Sequence, residues 1–275
     1  MGLLKYRGKR LLVPLTGNRP AQYLLQRLGN VSNYLMGIGS GDNLFFSGEE
    51  AAIKQMMAAG PGPYTVFDVG ANTGQWLKLL GRNLDLSSLN LHCFEPGGAA
   101  FAKLSERFGH IQGAILNQTA LGDQAGHRLL YIDKSDLELA SFSKRESSPH
   151  GEGFEDSEMV SVNTLDGYCR EKGLDRIDLL KIDTEGHELD VLRGARRMLA
   201  ERRVKLILFE FGGAGMDSRV FFRDIFDLLV AHGYQVLRIT PSRYLIPIAE
   251  YSALLEQFLT TMYLAAAPET PLSGS

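Results

Sequence analysis

Apolar positions after residue 63 follow two spacings that alternate along the chain. Short apolar runs, typical of buried strands, predict strands at 64–69, 90–95, 115–119, 178–183, 205–211, 234–239 and 258–265. Apolar residues three to four positions apart predict helices between most of them, at 75–82, 98–108, 164–172, 188–200 and 219–232. This alternation predicts an α/β domain, in which a mostly parallel sheet has helices on both faces.

The first 63 residues show helical spacing and no strand pattern. A first helical pattern rests on Tyr23, Leu24, Leu28, Tyr34 and Leu35. Ser47 and Glu50 have the spacing of a capping box, which predicts a second helix at 51–59, before the Gly-Pro-Gly-Pro stop at 60–63. We therefore predict a helical cap at 1–63 that lies against a domain at 64–266, followed by a C-terminal tail at 267–275.

The strand and helix alternation is interrupted between residues 121 and 162. Residues 127–132 and 159–162 have the pattern of two additional strands, and the segment 133–158 between them is polar and rich in Ser and Glu. Connections of this length in a compact domain are usually functional lids or disordered segments. We predict that 133–158 is a lid-like insert.

Composition and charge narrow the class of protein. With 275 residues, 44% hydrophobic and 22% charged, the chain is long enough for one sizeable core. A formal net charge of −3 and a pI near 6.1 give no general attraction to nucleic acid. Two cysteines without zinc-ligand spacing favour a reducing compartment, and no apolar run is long enough to span a membrane. We expect a cytoplasmic protein without a membrane span; the sequence does not indicate an oligomeric state.

Residues 64–74 have the pattern of a strand, a tight turn and the start of a helix. This is the geometry of a turn that binds a phosphate or a nucleoside. The turn lacks both the middle glycine that admits a pyrophosphate and the phosphate-loop lysine. It keeps Asp68 two residues before Gly70, and a second glycine at Gly74. A carboxylate repels phosphate but attracts a cationic amino group, so the turn predicts a nucleoside-like ligand with a positive end.

Acids also follow the next two strands. Glu95 ends the second strand about 20 residues past the turn, where an acid accepts hydrogen bonds from both ribose hydroxyls. Asp123 follows the third strand, where an adenine ring could stack on Leu121 with its amino group near Asp123. Each acid alone fits a capping or salt-bridge role equally well. Their joint spacing favours S-adenosylmethionine over NAD or ATP.

Several motifs together resemble a known family. They are Asp68-Val69-Gly70-Ala71-Asn72-Thr73-Gly74, Phe94-Glu95-Pro96, Ala120-Leu121-Gly122-Asp123, Thr164-Leu165-Asp166, Leu180-Lys181-Ile182-Asp183-Thr184-Glu185-Gly186-His187-Glu188 and Val191-Leu192-Arg193-Gly194-Ala195. On these residues the chain resembles the FkbM family of class I methyltransferases. The resemblance implies a Rossmann-like sheet of seven strands in the order 3-2-1-4-5-7-6, with the last strand antiparallel. It also implies S-adenosylmethionine as cofactor and, usually, a hydroxyl oxygen of a sugar, polyketide or other metabolite as acceptor.

Six residues are predicted to bind the cofactor. Asp68 and Gly70 hold the methionine end, Glu95 the ribose and Asp123 the adenine, and Asn72 and Gly74 complete the turn.

Three further residues are candidates for the acceptor site, because a hydroxyl needs a base to expose its oxygen. Asp183 ends the fourth strand, Glu210 lies near the end of the fifth, and His187 follows in the next helical turn. In the alternative interpretation, Asp183 or Thr184 caps that helix, and its nearby acids only favour the positive N-terminus. Magnesium prefers oxygen ligands such as those of Asp183 and Glu210, but no metal site is predicted.

The leading hypothesis is an S-adenosylmethionine-dependent O-methyltransferase that acts on a small hydroxylated molecule. One alternative is an N-methyltransferase of a small amine, for which Asp183 would matter less because an amine needs less base strength. Another is a nucleoside-binding module without catalysis, since a fold does not dictate function. The acidic balance and the lack of a basic aromatic surface disfavour an RNA methyltransferase.

Overall fold

The computed structural model describes residues 13–41, 43, 46–133, 140–144 and 156–273. The strands are β1 (Thr65–Val69), β2 (Asn90–Phe94), β3 (Ala114–Asn117), β4 (Ala120–Leu121), β5 (Gly126–Ile132), β6 (Ala140–Ser141), β7 (Asp156–Asn163), β8 (Ile177–Ile182), β9 (Val204–Phe211), β10 (Gln235–Ile239), β11 (Leu245–Ile248) and β12 (Thr261–Ala266). The α-helices are α1 (Arg19–Leu35), α2 (Glu50–Ala58), α3 (Gln75–Asn83), α4 (Gly98–Phe108), α5 (Leu165–Lys172), α6 (Glu188–Arg193), α7 (Arg196–Ala200), α8 (Ala214–Ser218) and α9 (Phe222–Ala231).

The central sheet has the order β11-β10-β12-β9-β8-β1-β2-β3. Strands β3, β2, β1, β8 and β9 are parallel neighbours, and β12 is antiparallel to both β9 and β10. The predicted order 3-2-1-4-5-7-6 is therefore confirmed, but the sheet has an eighth strand, β11, beside β10. Its short apolar run contains Pro247, which pairs with Leu237. Proline argues against a central strand but is accepted at a sheet edge, and this explains why the sequence did not predict β11.

A second, four-stranded sheet has the order β4-β7-β5-β6. Its β5 and β7 are the two additional strands predicted at 127–132 and 159–162, and β7 begins earlier than predicted. Residues 134–139 and 145–155, which include most of the predicted lid-like insert, lie outside the described residues. The lid therefore stays a prediction.

The core lies on both faces of the central sheet. Phe67, Leu180 and Phe209 are buried on the face covered by α5, α6 and α9. Their chain neighbours Val66, Leu179 and Leu208 are buried on the opposite face, with α2, α3 and α4. Because successive strand residues point to opposite faces, a strand covered on both sides reads as a continuous apolar run. This is why the runs predicted the strands well.

The two N-terminal helices differ in how they pack. Ile53 and Met56 of α2 are buried in the core, whereas α1 has no buried residue. The predicted capping box at Ser47 is wrong, because the Ser47 hydroxyl accepts from the N–H of Glu49 and Glu50 pairs with Lys54. Among the described residues, no helix is both long and apolar enough to cross a membrane.

The helix predicted at 188–200 is two helices, α6 and α7. A Cβ atom on Gly194, between them, would lie 2.0 Å from the carbonyl oxygen of Gly122, so the chain approaches too closely for a side chain. Asp166 then accepts the N–H groups of Arg197 at 2.7 Å and Met198 at 3.0 Å and caps α7. A tertiary contact, not local propensity, decides this break.

Candidate active site

Four neighbouring strands bring acids to one edge of the central sheet. In the order β2, β1, β8 and β9, the acids are Glu95, Asp68, Asp183 and Glu210, each within or directly after the last residues of its strand. Strands β8 and β9 pair up to Ile182 and Phe209, so Asp183 and Glu210 follow as neighbours. The chain order reverses between β1 and β8. Ligands of open α/β sheets bind outside the carboxyl ends of the strands at such a switch point.

Lys181 is a buried cation among these acids. Its Nζ lies 3.1 Å from Oδ1 of Asp68 and 3.2 Å from Oδ2 of Asp183, and it donates to the carbonyl oxygen of Gly70 at 3.3 Å. Burial alone would lower the pKa of Lys181, but Asp183, Asp68 and Glu49 outweigh burial and raise it. Lys181 therefore forms ion pairs with two of the acids at this edge, Asp68 and Asp183.

Burial raises the pKa of several carboxyl groups at this edge. It raises the pKa of Glu49, which precedes α2, to about 7, even though Lys181 acts in the opposite direction. The pKa of Asp68 is also raised by burial, and Lys181 again opposes the shift. Burial, reinforced by Asp183 and other acids, raises the pKa of Glu210 well above its ordinary value. Burial therefore disfavours the charged forms of these three carboxyl groups.

The turn after β1 is shaped by close backbone contacts. Gly70 has φ +78°, and a Cβ atom there would lie 1.8 Å from the carbonyl oxygen of Asp183. At Gly74 a Cβ atom would lie 2.3 Å from the ring of Phe108 on α4. Close packing therefore explains why both positions are glycine. Their contact with a cofactor stays a prediction.

Glu95 is tied to this turn. Its two carboxylate oxygens accept the N–H groups of Asn72 and Gly97, each at 2.8 Å. Burial raises the pKa of Glu95 to about 7, although these two hydrogen bonds lower it. The neighbouring N–H of Gly98 donates to Glu158 of the second sheet at 2.8 Å, a contact that the sequence did not predict.

In the described part of the chain, no contact places Asp123 near the acids at the carboxyl edge of the sheet. It is exposed, and Gly122 before it packs against Gly194, at the far end of α6 from the acids. At 1.5 Å per residue, the six residues of α6 separate its two ends by about 9 Å. The adenine contact of Asp123 stays a prediction.

Glu188, the last residue of the motif at 180–188, organises the loop after β8. Its Oε1 accepts the N–H of Thr184 at 2.9 Å, the hydroxyl of Thr184 at 3.0 Å and the N–H of Gly186 at 3.2 Å. This arrangement supports the alternative interpretation for Glu188, in which the acid serves the helix start. The loop so fixed lies between Asp183 and His187.

His187 is part of a chain of polar contacts. Its Nδ1 lies 3.2 Å from Oδ2 of Asp190, and its Nε2 lies 3.3 Å from the hydroxyl of Ser143. The hydrogen bond with His187, more than the ion pair with Arg128, keeps the pKa of Asp190 below its ordinary value. The ring of Phe142 covers the imidazole edge to face at 5.3 Å. His187 is therefore oriented by Asp190. The sequence did not predict this role, because an acid on a helix surface has no distinctive pattern.

The residues at the switch point fit S-adenosylmethionine. Among the described residues Oδ2 of Asp68 is buried without a hydrogen-bond partner, so it can accept from a cationic amino group. Each oxygen of Glu95 accepts one amide and keeps a lone pair for a ribose hydroxyl. Within the described ranges, no group of three or more His, Cys, Asp or Glu residues is arranged to hold a metal ion.

Comparison with known proteins identifies the family. The profile of the Methyltransferase FkbM domain matches residues 68–236, more than half of the chain. The chain is 29% identical to 2-O-methyltransferase NoeI of Sinorhizobium fredii over 60% of its own length and 70% of that protein's. It is 29% identical to 31-O-demethyl-FK506 methyltransferase FkbM of Streptomyces tacrolimicus, over 47% and 58% of the two lengths. It is 22% identical to hexuronic acid methyltransferase AglP of Haloferax volcanii, over 62% and 65%. The chain belongs to the FkbM family of S-adenosylmethionine-dependent methyltransferases, as its motifs and class I fold predict.

Proposed function

We propose that the protein transfers a methyl group from S-adenosylmethionine to a hydroxyl oxygen of a small acceptor, such as a sugar or a polyketide-like molecule. The observation that carries this proposal is the adjacency of Asp183 and Glu210 at the switch point, on the side of Asp68 away from Glu95. Two relatives have names that specify O-methylation, and a third is named for a hexuronic acid, which is consistent with such acceptors.

In this proposal the methyl donor is held by the β1–β2 side of the edge. Asp68 accepts from the amino group of the methionine end, the turn at Gly70, Asn72 and Gly74 surrounds it, and Glu95 binds the ribose. When bound, S-adenosylmethionine supplies an electrophilic methyl group on a sulfonium. The protein's task is then to position the acceptor in line with that methyl group and to remove a proton from it.

Glu210 is the base that the geometry favours. The residue is half-buried, and burial raises the pKa of its carboxyl group well above the ordinary value, which makes its carboxylate a stronger base. Asp183 beside it is held by Lys181 and orients the acceptor. His187 is a second candidate base, but its Nε2 is engaged by Ser143 and its ring is covered by Phe142.

Donor binding is tested by calorimetry with S-adenosylmethionine and S-adenosylhomocysteine. Glu95→Gln places an amide N–H₂ against one of the two backbone N–H groups from which Glu95 now accepts, and we expect affinity to fall at least about tenfold. Glu201→Gln, at an exposed glutamate near the opposite edge of the sheet, is the matched control and should leave affinity unchanged. Folded protein that binds neither compound would refute the donor assignment.

The acceptor assignment is tested by release of S-adenosylhomocysteine with a panel of hydroxylated sugars, hydroxylated polyketides and small amines. We expect turnover with a hydroxylated acceptor, a loss of kcat of about a hundredfold or more in Glu210→Gln, and donor affinity within about threefold of the wild type. Turnover with amines alone, insensitive to Asp183→Asn, would establish the N-methyltransferase alternative. Donor binding without turnover on the whole panel would point to a non-catalytic module.

A further inference from the structure

Helix α1 presents an apolar face that the other described residues do not cover. None of its 17 residues is buried, and the side chains on one face are between 46% and 67% exposed: Leu24, Leu25, Leu28, Val31 and Leu35. These positions recur every three to four residues, so they form one stripe along the helix. The opposite face carries polar side chains such as Gln22, Gln26 and Asn33. A stripe of this size on an otherwise polar helix marks an interaction surface.

The charge of the same region is strongly one-sided. Residues 1–41 contain no Asp or Glu and six basic residues, namely Lys5, Arg7, Lys9, Arg10, Arg19 and Arg27. The whole chain has a formal net charge of −3, so the remainder is correspondingly acidic. An amphipathic helix in a basic segment is the pattern of helices that lie in the interface of a membrane.

We propose that α1 binds the surface of an anionic lipid bilayer, with its leucine stripe in the acyl boundary and its basic residues among the headgroups. Tyr23 and Tyr34 suit the boundary itself, because a tyrosine ring has an apolar body and a polar tip. The guanidinium of Arg27 lies 5.4 Å from the centre of the Tyr23 ring and reaches from the helix toward that level. A second copy of the chain is the less suitable partner, since its α1 brings two more cations, Arg19 and Arg27, and no acid to the same contact.

The position of α1 links this surface to the candidate active site. The helix is followed by the buried Ile38, and the N–H groups of Gly39 and Gly41 donate to Thr261 and Thr260. Thr261 begins β12 opposite Phe211, the residue after Glu210. Helix α1 therefore extends from the edge of the sheet that carries the acids. If the proposed function holds, lipid binding brings that edge to the membrane, where an amphiphilic acceptor is concentrated.

Vesicle co-sedimentation of the full chain, without cofactor or acceptor, tests lipid binding separately from methyl transfer. The probes are phosphatidylcholine vesicles with and without about 30% phosphatidylglycerol, at low and high salt. We expect binding to the anionic vesicles that weakens at high salt, and at least about tenfold less to the neutral ones. Equal binding to both would overturn the proposal, as would no binding to either.

Two variants of equal charge separate the stripe from electrostatics alone. Leu24→Glu with Leu28→Glu places two acids on the apolar stripe, whereas Gln26→Glu with Asn33→Glu places two on the polar face. We expect the first pair to reduce binding at least about tenfold and the second less than about threefold. Neither pair should change the circular dichroism or the melting temperature, because α1 has no buried residue. Equal effects of both pairs would refute the stripe. A dimer that the first pair dissociates, without vesicle binding, would assign the face to a second copy.

Discussion

Replacement of Lys181 by methionine tests whether one cation stabilises the acids at the carboxyl edge. The side chain of Lys181 is only 4% exposed, and its Nζ contacts Asp68, Asp183 and the carbonyl oxygen of Gly70. Methionine has a similar length and remains apolar, so Lys181→Met removes the charge with little change in packing. The variant leaves Asp68 buried without its cation, in a site where the charge of Asp183 also raises the pKa of Asp68.

The magnitude follows from the distances. At an effective dielectric constant of about 20, unit charges 3.1 Å apart attract by about 5 kcal/mol, and Lys181 has two such partners. The cost of burying the ammonium offsets much of this attraction, so loss of one partner from a buried group typically costs about 3–5 kcal/mol. We expect Lys181→Met to lower the free energy of unfolding by that amount at pH 8.

Lys205→Met is the matched control. Lys205 lies 3.1 Å from Asp178, the same distance as in the Lys181 pair, but its side chain is 33% exposed. Asp178 also keeps Arg176 at 3.3 Å and the N–H of Thr65 at 2.9 Å. The control should therefore cost less than about 1 kcal/mol.

Urea unfolding of both variants at pH 5 and pH 8 is the assay. Without Lys181 the pKa of Asp68 rises further, so the folded variant binds protons that the unfolded chain has released. Its stability then falls as pH rises, and the deficit relative to wild type is smaller at pH 5 than at pH 8. Equal losses in Lys181→Met and Lys205→Met, or a loss below about 1 kcal/mol at both pH values, would refute the reasoning.

Two further substitutions test the turn and the buried acid before α2. Gly70→Ala places a Cβ atom against the carbonyl oxygen of Asp183 and should lower the free energy of unfolding in urea by more than about 3 kcal/mol. Gly29→Ala, in open space on α1, should be neutral or stabilising. Equal urea midpoints for the two variants would contradict this expectation. The pKa of Glu49 is raised by burial from 4.5 to about 7, so its effect on stability is fully favourable below pH 4.5 and is lost as pH rises through 7. Glu49→Gln should therefore flatten the stability curve between pH 5 and 8 by up to about 3 kcal/mol, and parallel curves for the two proteins would argue against the shift.

Much of the fold could be predicted because the central strands are covered on both faces. That environment requires continuous apolar runs such as 177–182, and such runs are visible in the sequence. Strand β11 was missed because Pro247 interrupts its run, and the break between α6 and α7 was missed because it depends on Gly122, far away in the chain. Edge strands and tertiary contacts leave a weak local signal.

The residues of the candidate site also divide into those that the sequence pattern indicated and those that it did not. Asp68, Glu95 and Asp183 were found because an acid directly at the end of an apolar strand is uncommon enough to notice. Glu49 and Asp190 were missed, since each lies at or near the first turn of a helix, where acids usually favour the positive N-terminus in solvent. Only the packing shows that Glu49 is buried and that Asp190 orients His187.

The buried acids also determine what accompanies ligand binding. Because the pKa values of Glu49 and Glu95 both lie near 7, these groups are partly protonated in the free protein at neutral pH. A cation that arrives beside them favours their ionised forms, so binding releases protons to the solvent. The observed enthalpy of binding then includes the ionisation enthalpy of the buffer that takes up those protons. Heats measured in phosphate and in Tris will accordingly differ for a cationic ligand at this edge, even when the affinity is the same.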